Sequence, residues 1–168
     1  MSTAVASDER SPEEANLLNP AFLATLIDSA AAGYRELSAT GLTWPLVFLA
    51  LPAVLHKRTR EALPRDVRGS MAGWVRSHPL EVEDIAERAP ALRSIISEAL
   101  VFGIAHGTIA RDGALLLPGR RARRRPGESR REPTEDFTSC ATRARFFGRW
   151  CAVSGTPATI FALWGLRP

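Results

Sequence analysis

The feature that most constrains the fold of this chain is an apolar helix that runs directly into a hairpin. Between residues 91 and 117, Asp112-Gly113 separates two short apolar runs, which is the strongest short-range hairpin signal. We therefore predict a helix from Ala91, a C-cap at Gly107 and a hairpin over residues 108–117, the order of a winged helix. The predicted buried face follows the three- and four-residue steps of a helix and consists of Leu92, Ile95, Ile96, Ala99, Phe102, Gly103 and His106.

The outer face of this helix distinguishes a DNA-binding winged helix from a protein-binding one. A DNA reader carries base-contacting side chains there, and this chain carries Arg93, Ser94, Ser97, Glu98 and Val101. One arginine offset by one glutamate is a poor groove reader. Val101 and Ile104 make the last two turns apolar all round, and we therefore expect these turns to be covered on both sides.

The positive charge of the chain is concentrated in one segment. The net charge is +4 over 168 residues, and residues 118–136 hold seven arginines against four acidic residues, a net of +3. A segment dense in charge and poor in apolar residues is typical of disorder, so we predict a disordered Arg-rich loop over about 118–136. Its candidate nucleic-acid-binding residues are Arg120, Arg121, Arg123, Arg124, Arg125, Arg130 and Arg131.

The remaining pattern predicts a mainly α fold, a compact helical domain with one small β-hairpin. With 45% hydrophobic residues, the chain is long enough for a single core without metal or disulfides. We expect residues 1–10 to be a flexible leader and residues 11–168 a single helical, winged-helix-like domain. The basic connector 56–64 is interpreted as solvated, with partner binding as the alternative. Pro90 is interpreted as the start of the central helix. Capping residues, prolines and periodicity predict the other helices over 12–18, 21–37, 46–55, 65–77, 82–89, 137–153 and 158–164.

Cysteines and apolar runs favour a cytoplasmic protein. The apolar run Leu42–Leu55 contains two prolines and is shorter than the about 20 residues of a membrane span. It therefore predicts a core helix. Cys140 and Cys151 lie eleven residues apart in one predicted helix, a rise of about 16 Å that is too long for a disulfide. Buried reduced cysteines and the absence of a signal-peptide pattern both favour the cytoplasm.

No constellation of residues predicts catalysis or cofactor binding. Two cysteines and three histidines show no metal-ligand spacing, and no phosphate loop, nucleophile elbow or HExxH motif occurs. The acidic stretch Glu81–Glu87 is interpreted as a solvated helix face rather than a cation site. We therefore expect no enzyme activity, no catalytic residues, no metal and no cofactor.

Several short segments resemble one family when taken in their order along the chain. The chain resembles the middle component of bacterial three-component ABC systems, from about Ala15 to Pro168 and interrupted at the Arg-rich loop. The segments that carry the resemblance are Ala15-Asn16-Leu17-Leu18-Asn19-Pro20-Ala21-Phe22, Phe48-Leu49-Ala50-Leu51-Pro52-Ala53-Val54-Leu55-His56, Thr59-Arg60, Leu63-Pro64, Glu98-Ala99-Leu100-Val101-Phe102-Gly103, Phe147-Gly148-Arg149-Trp150 and Gly165-Leu166-Arg167-Pro168.

The resemblance implies a non-enzymatic adaptor in a phage-defence or genetic-conflict system. Its implied partners are an SMC/Rad50-like ABC ATPase and an effector protein, and its implied role is related to that of the small winged-helix subunits that dock on SMC complexes. The alternative is a nucleic-acid-binding winged-helix protein that uses the Arg-rich loop for non-specific DNA binding. A homodimer is left open, and no membrane contact is expected.

The aromatic C-terminal region is the other candidate partner surface. In the helix 137–153, Trp150 and Val153 point away from the predicted buried face and need a second contact. Packing by the last helix is the open alternative to a partner. Aromatic side chains together with arginine are typical of interface hot spots. The predicted partner-binding residues are Val101, Ile104, Arg149, Trp150, Trp164 and Arg167.

Overall fold

A computed structural model describes residues 18–119 and 134–166 of the chain. In these residues the fold is mainly α, as predicted, with a small antiparallel sheet. Residues 1–17, 120–133 and 167–168 lie outside the described part, as do the predicted leader and most of the predicted Arg-rich loop. The elements are α1 (Pro20–Leu37), β1 (Leu42–Thr43), a 3-10 turn (Trp44–Leu46), α2 (Val47–Leu55), α3 (Lys57–Ala62), α4 (Met71–Ser77), α5 (Pro79–Ala105), β2 (Ile109–Asp112), β3 (Leu115–Pro118), α6 (Glu135–Val153) and α7 (Pro157–Leu163).

Helices α1 and α6 form the most extensive helix pair among the described residues. Two glycines bring their backbones into direct contact. A Cβ on Gly33 of α1 would lie 1.9 Å from the carbonyl oxygen of Arg145, and a Cβ on Gly148 of α6 would lie 1.9 Å from that of Ala30. Both distances are far below van der Waals contact, so only glycine fits at either position. The two contacts also fix the helices as antiparallel.

The apolar helix α2 passes through the centre of the core. Every residue from Leu49 to Val54 is buried, including Pro52 inside the helix. The helix packs against α1, α5 and α6. A helix that is apolar on all sides requires such complete coverage. The prediction of a core helix for this run is confirmed. No helix in the described ranges is long and apolar enough to cross a membrane.

The predicted hairpin is present, but its register and its sheet differ from the prediction. Asp112 pairs with Leu115, so the two turn residues are Gly113 and Ala114 rather than Asp112-Gly113. Gly113 has φ of +59°, which both common two-residue turns require at the first turn position. A third strand, β1, pairs with β3 and gives the order β1-β3-β2. The strand β1 was not predicted, because two residues are too few to show an alternating pattern.

The central helix α5 is longer than predicted. It extends from Pro79 to Ala105 without a break, and the predicted separation at Pro90 is wrong. Ile85 and Ile96 are both completely buried, three turns apart, so the two halves continue one buried face. Pro90 itself is exposed, where water can satisfy the carbonyl one turn earlier. Packing of the buried face therefore overrides the local preference of proline for the first turn of a helix.

The segment between α2 and α5 also differs from the prediction. The connector 56–64 contains the helix α3, and its Thr59 and Arg60 are buried rather than solvated. The predicted helix 65–77 begins only at Met71, because Ser70 caps it by accepting a hydrogen bond from the backbone N–H of Gly73 at 3.0 Å. The helices 21–37, 137–153 and 158–164 were predicted to within one or two residues. Cys140 and Cys151 are free and buried, as expected.

The glycine contact between α1 and α6 gives the first testable prediction. Gly148→Ala should lower the free energy of unfolding by about 3 kcal/mol, because the added methyl group forces two backbones apart. In an unstrained helix the same change stabilises by up to about 1 kcal/mol. Urea denaturation followed by circular dichroism measures the difference. Gly69→Ala is the matched control, since a Cβ there meets nothing within 4 Å. Equal stability of Gly148→Ala and wild type would disprove the close contact.

Candidate functional site

The outer face of the last turns of α5 carries an exposed apolar patch, which we call the α5 patch. It consists of Val101, 70% exposed, and Ile104, 39% exposed. The expectation that these turns are covered on both sides is therefore wrong for the described residues. The opposite face of the same turns is tightly packed, since a Cβ on Gly103 would lie 2.5 Å from Cδ1 of Ile109. The α5 patch therefore lies on a helix whose opposite face is packed against Ile109 of β2.

Trp150 and Trp164, predicted to meet a partner, lie instead in a buried aromatic cluster. Trp150 is 0% exposed and Trp164 is 1% exposed. Trp74 lies between them, with ring centroids 5.8 and 5.4 Å away. The Nε1 of Trp150 donates to the carbonyl of Gly69 at 2.9 Å, and that of Trp164 lies 3.3 Å from Sδ of Met71. The prediction of a partner surface at these two tryptophans is wrong, because α4, α7 and the segment before α4 cover that side of α6.

Arg149, by contrast, is accessible and belongs to a small group of charges. Its Nε lies 3.4 Å from Oε2 of Glu36, and its side chain is 43% exposed. Arg145, one turn earlier on α6, donates to the other oxygen of the same carboxylate. Glu36 and Arg145 carry no signal in the sequence, since only the pairing of α1 with α6 brings them together. Val153, one turn after Arg149, is 52% exposed.

Arg60 is a buried cation, so its prediction as a solvated residue of the connector 56–64 is wrong. Its side chain is 5% exposed, and its Nη1 donates to the carbonyls of Val54 and Leu55 at 2.9 and 3.4 Å. Its Nη2 donates to Oδ1 of Asp136 at 3.0 Å. Arg60 therefore satisfies the C-terminal carbonyls of α2 and ties them to the first turn of α6.

Arg143 acts in the same way on the connector that follows α3. Its Nη2 donates to the carbonyls of Leu63 and Pro64, and its Nε donates to that of Arg60. The guanidinium also stacks 4.8 Å from the centroid of Phe146. Burial lowers the pKa of Arg143. All of these acceptors are backbone carbonyls, so Arg143 has a structural role in holding the connector against α6.

The acidic stretch on α5 takes part in ion pairs. Oε1 of Glu81 lies 3.5 Å from Nε of Arg58, and Oδ2 of Asp84 lies 3.8 Å from Nη2 of Arg88. His56 is close by, and burial, followed by the charge of Arg88, lowers its pKa. Glu83 and Glu87 are exposed, as expected for a solvated face. The arginine side chains thus balance the charge of the half-buried carboxylates of Glu81 and Asp84.

A metal site and a reactive thiol are the remaining chemical possibilities among the described residues. Within residues 18–119 and 134–166, no group of three or more His, Cys, Asp and Glu side chains has the geometry of a metal site. Burial raises the pKa of Cys140 and of Cys151. A raised pKa disfavours the thiolate, which is the nucleophilic form.

The predicted nucleic-acid-binding arginines fall outside the described residues. The structure describes both ends of their segment: the N–H of Gly119 donates to Oδ1 of Asp28 at 3.0 Å, and Asp136 is held by Arg60. At the ends of the predicted loop 118–136, the described residues belong to regular elements, since Pro118 ends β3 and Glu135 and Asp136 begin α6. The residues concerned are Arg120, Arg121, Arg123, Arg124, Arg125, Arg130 and Arg131, and the same applies to the partner-binding candidate Arg167.

Comparison with known families defines the class of the protein. The model of one family, described as ABC-three component (ABC-3C) system Middle Component 3, matches residues 7–168. The match covers almost the whole chain, so this is a middle component of an ABC-three component system. Within that class it belongs to the Middle Component 3 family, and the resemblance noted in the sequence is confirmed. No curated protein and no solved structure matches the chain.

The role of Arg60 can be tested by comparing its two kinds of contact. Arg60→Met keeps most of the buried hydrocarbon but leaves two carbonyls without their donor, and should destabilise the fold by about 1–3 kcal/mol. Asp136→Asn should cost at most about 1 kcal/mol, because the carboxylate is 69% exposed. Thermal and urea unfolding provide the measurement. If the two variants were equally destabilised, the ion pair rather than the carbonyl contacts would be the main contribution.

Proposed function

We propose that this protein is a non-enzymatic adaptor that links an SMC/Rad50-like ABC ATPase to an effector protein. Membership of the Middle Component 3 family supports the proposal, because a component of an ABC-three component system has partners within that system. The setting we propose is a phage-defence or genetic-conflict system in the cytoplasm. The part of the chain that the structure describes offers exposed apolar side chains to which a partner can bind.

The observation that carries the proposal is the α5 patch. When a partner covers large aliphatic side chains, the free energy of binding becomes more favourable by roughly 25 cal/mol per Å² of apolar surface removed from water. Val101 and Ile104 are adjacent on the surface because residues three apart share a helix face. Their helix is supported by the buried Ile96 and Ala99, so the patch needs little ordering before it binds.

The connectivity of the fold also supports an adaptor of the winged-helix type. The helix that displays the patch leads directly into the β2–β3 hairpin, and the early strand β1 completes the sheet beside β3. The outer positions Arg93, Ser94, Ser97 and Glu98 are exposed and nearly neutral in sum. This surface suits a protein partner better than the phosphates of DNA.

The proposed docking surface is tested by placing a charge on it. Val101→Glu should weaken binding to the purified ATPase component of the same system on the order of tenfold or more, because the carboxylate would lose its hydration in the interface. The melting temperature should stay close to that of wild type, since Val101 is 70% exposed. Isothermal titration calorimetry measures the binding.

The control is Leu80→Glu, which introduces the same charge at a 57%-exposed apolar position near the other end of the same helix. This variant should bind like wild type. Unchanged binding by Val101→Glu would remove the α5 patch from the interface. Absence of binding by the wild type to both other components would overturn the adaptor function.

A further inference from the structure

A second exposed surface follows the outer side of α6. Arg145, Arg149 and Val153 recur every four residues and so lie on one side of the helix, where they are 55%, 43% and 52% exposed. Glu36 of α1 lies beside the two arginines. We call these four residues the α6 stripe. Its first part is charged and its last residue is apolar.

The charges in the α6 stripe are unequal. Two guanidinium groups share the single carboxylate of Glu36, which leaves one positive charge in excess. Arg145 makes the close hydrogen-bonded contact with this carboxylate. The Nε of Arg149 is shielded from solvent and makes no hydrogen bond to any side chain or backbone group in the described ranges. This Nε faces Oε2 of Glu36 at 3.4 Å, so an added carboxylate would be bound by the part of the guanidinium side chain that remains exposed.

The apolar end of the stripe borders a groove of about 450 Å³. Val153 forms one wall of this groove, and Val67 and Leu163 contribute further apolar surface. The groove lies one helical turn beyond Arg149. A single bound segment can thus place a carboxylate at the arginines and an apolar side chain in the groove.

We propose that the α6 stripe and this groove form a second docking surface, which binds an acidic, apolar-bearing segment of a partner protein from the same system. Complementarity of charge favours an acidic partner. A protein segment fits better than nucleic acid, because Glu36 lies between the arginines and repels a continuous phosphate backbone. The exposed Val153 and its groove also favour a partner with side chains to bury.

This surface is separate from the α5 patch. Helices α1 and α2 each pack against both α5 and α6 and therefore lie between them. A partner segment on the α6 stripe need not displace a partner on the α5 patch. The inference rests on the proposed adaptor function and adds the surface and the chemistry of the second partner.

Binding of each of the two other purified components of the system is measured by calorimetry at low and physiological salt. Arg149→Glu should weaken the affinity for one component on the order of tenfold or more, and this loss should diminish as salt is raised. Glu36→Gln should instead strengthen the same complex, because it increases the positive excess. Val153→Ser should weaken it with little change in salt dependence. Lys57→Glu, which reverses a charge on a 75%-exposed side chain of α3, is the control.

The opposite effects of Arg149→Glu and Glu36→Gln are the decisive readout, since damage to folding would weaken binding in both. Melting temperatures confirm that each variant is folded. If every component that binds wild type binds Arg149→Glu with equal affinity, this docking surface is overturned while the adaptor function stands. If neither component binds the wild type, the adaptor function itself fails and the inference with it. If Arg149→Glu loses binding only to a 20-base-pair DNA duplex, the surface belongs to nucleic acid and the inference is also overturned.

Discussion

The close contact of the α1 and α6 backbones determines the position of most other features of the described fold. Gly33 and Gly148 remove the side chains that would hold the two helices apart. With the backbones in contact, α6 presents Phe147 and Trp150 to the core and Arg145 and Arg149 to the surface. Any increase in the distance between the helices would separate Glu36 from both arginines and open a gap beside α2. Close packing of this kind is intolerant of even one added methyl group.

A second constraint is that the irregular segment after α2 must satisfy its backbone carbonyls. Arg60 and Arg143 donate to carbonyls of residues 54, 55, 60, 63 and 64, and Trp74 and Trp150 donate to those of Ala62 and Gly69. Arg143 and Trp150 reach the segment from α6, whereas Arg60 lies on α3 and Trp74 on α4. Long polar side chains here replace the ladder of hydrogen bonds that a regular element would supply. These hydrogen bonds therefore hold the region in place although its helices α3 and α4 are short.

The sequence predicted those elements whose signals are local. Asn19-Pro20 and Thr156-Pro157 located two helix starts, and the apolar run 46–55 located the central core helix. The hairpin was located correctly, but its register was wrong by one residue, because pairing with β1 and packing of Ile109 decide which residues form the turn. The local preference of Pro90 predicts a helix start there, whereas the buried face that continues on both sides of it becomes visible only in three dimensions.

The candidate surfaces show the same division between local and long-range information. The helical pattern alone places Val101 and Ile104 on the outer face of α5, since their position relative to the buried face follows from 3.6 residues per turn. Trp150 and Trp164 were not distinguishable from surface residues, because Gly69 and Met71, which they contact, are 81 and 93 residues away in sequence. The charged group of Glu36 and Arg145 was equally invisible before α1 and α6 were paired. Long-range packing therefore decided which aromatic residues became core and which arginines remained available to a partner.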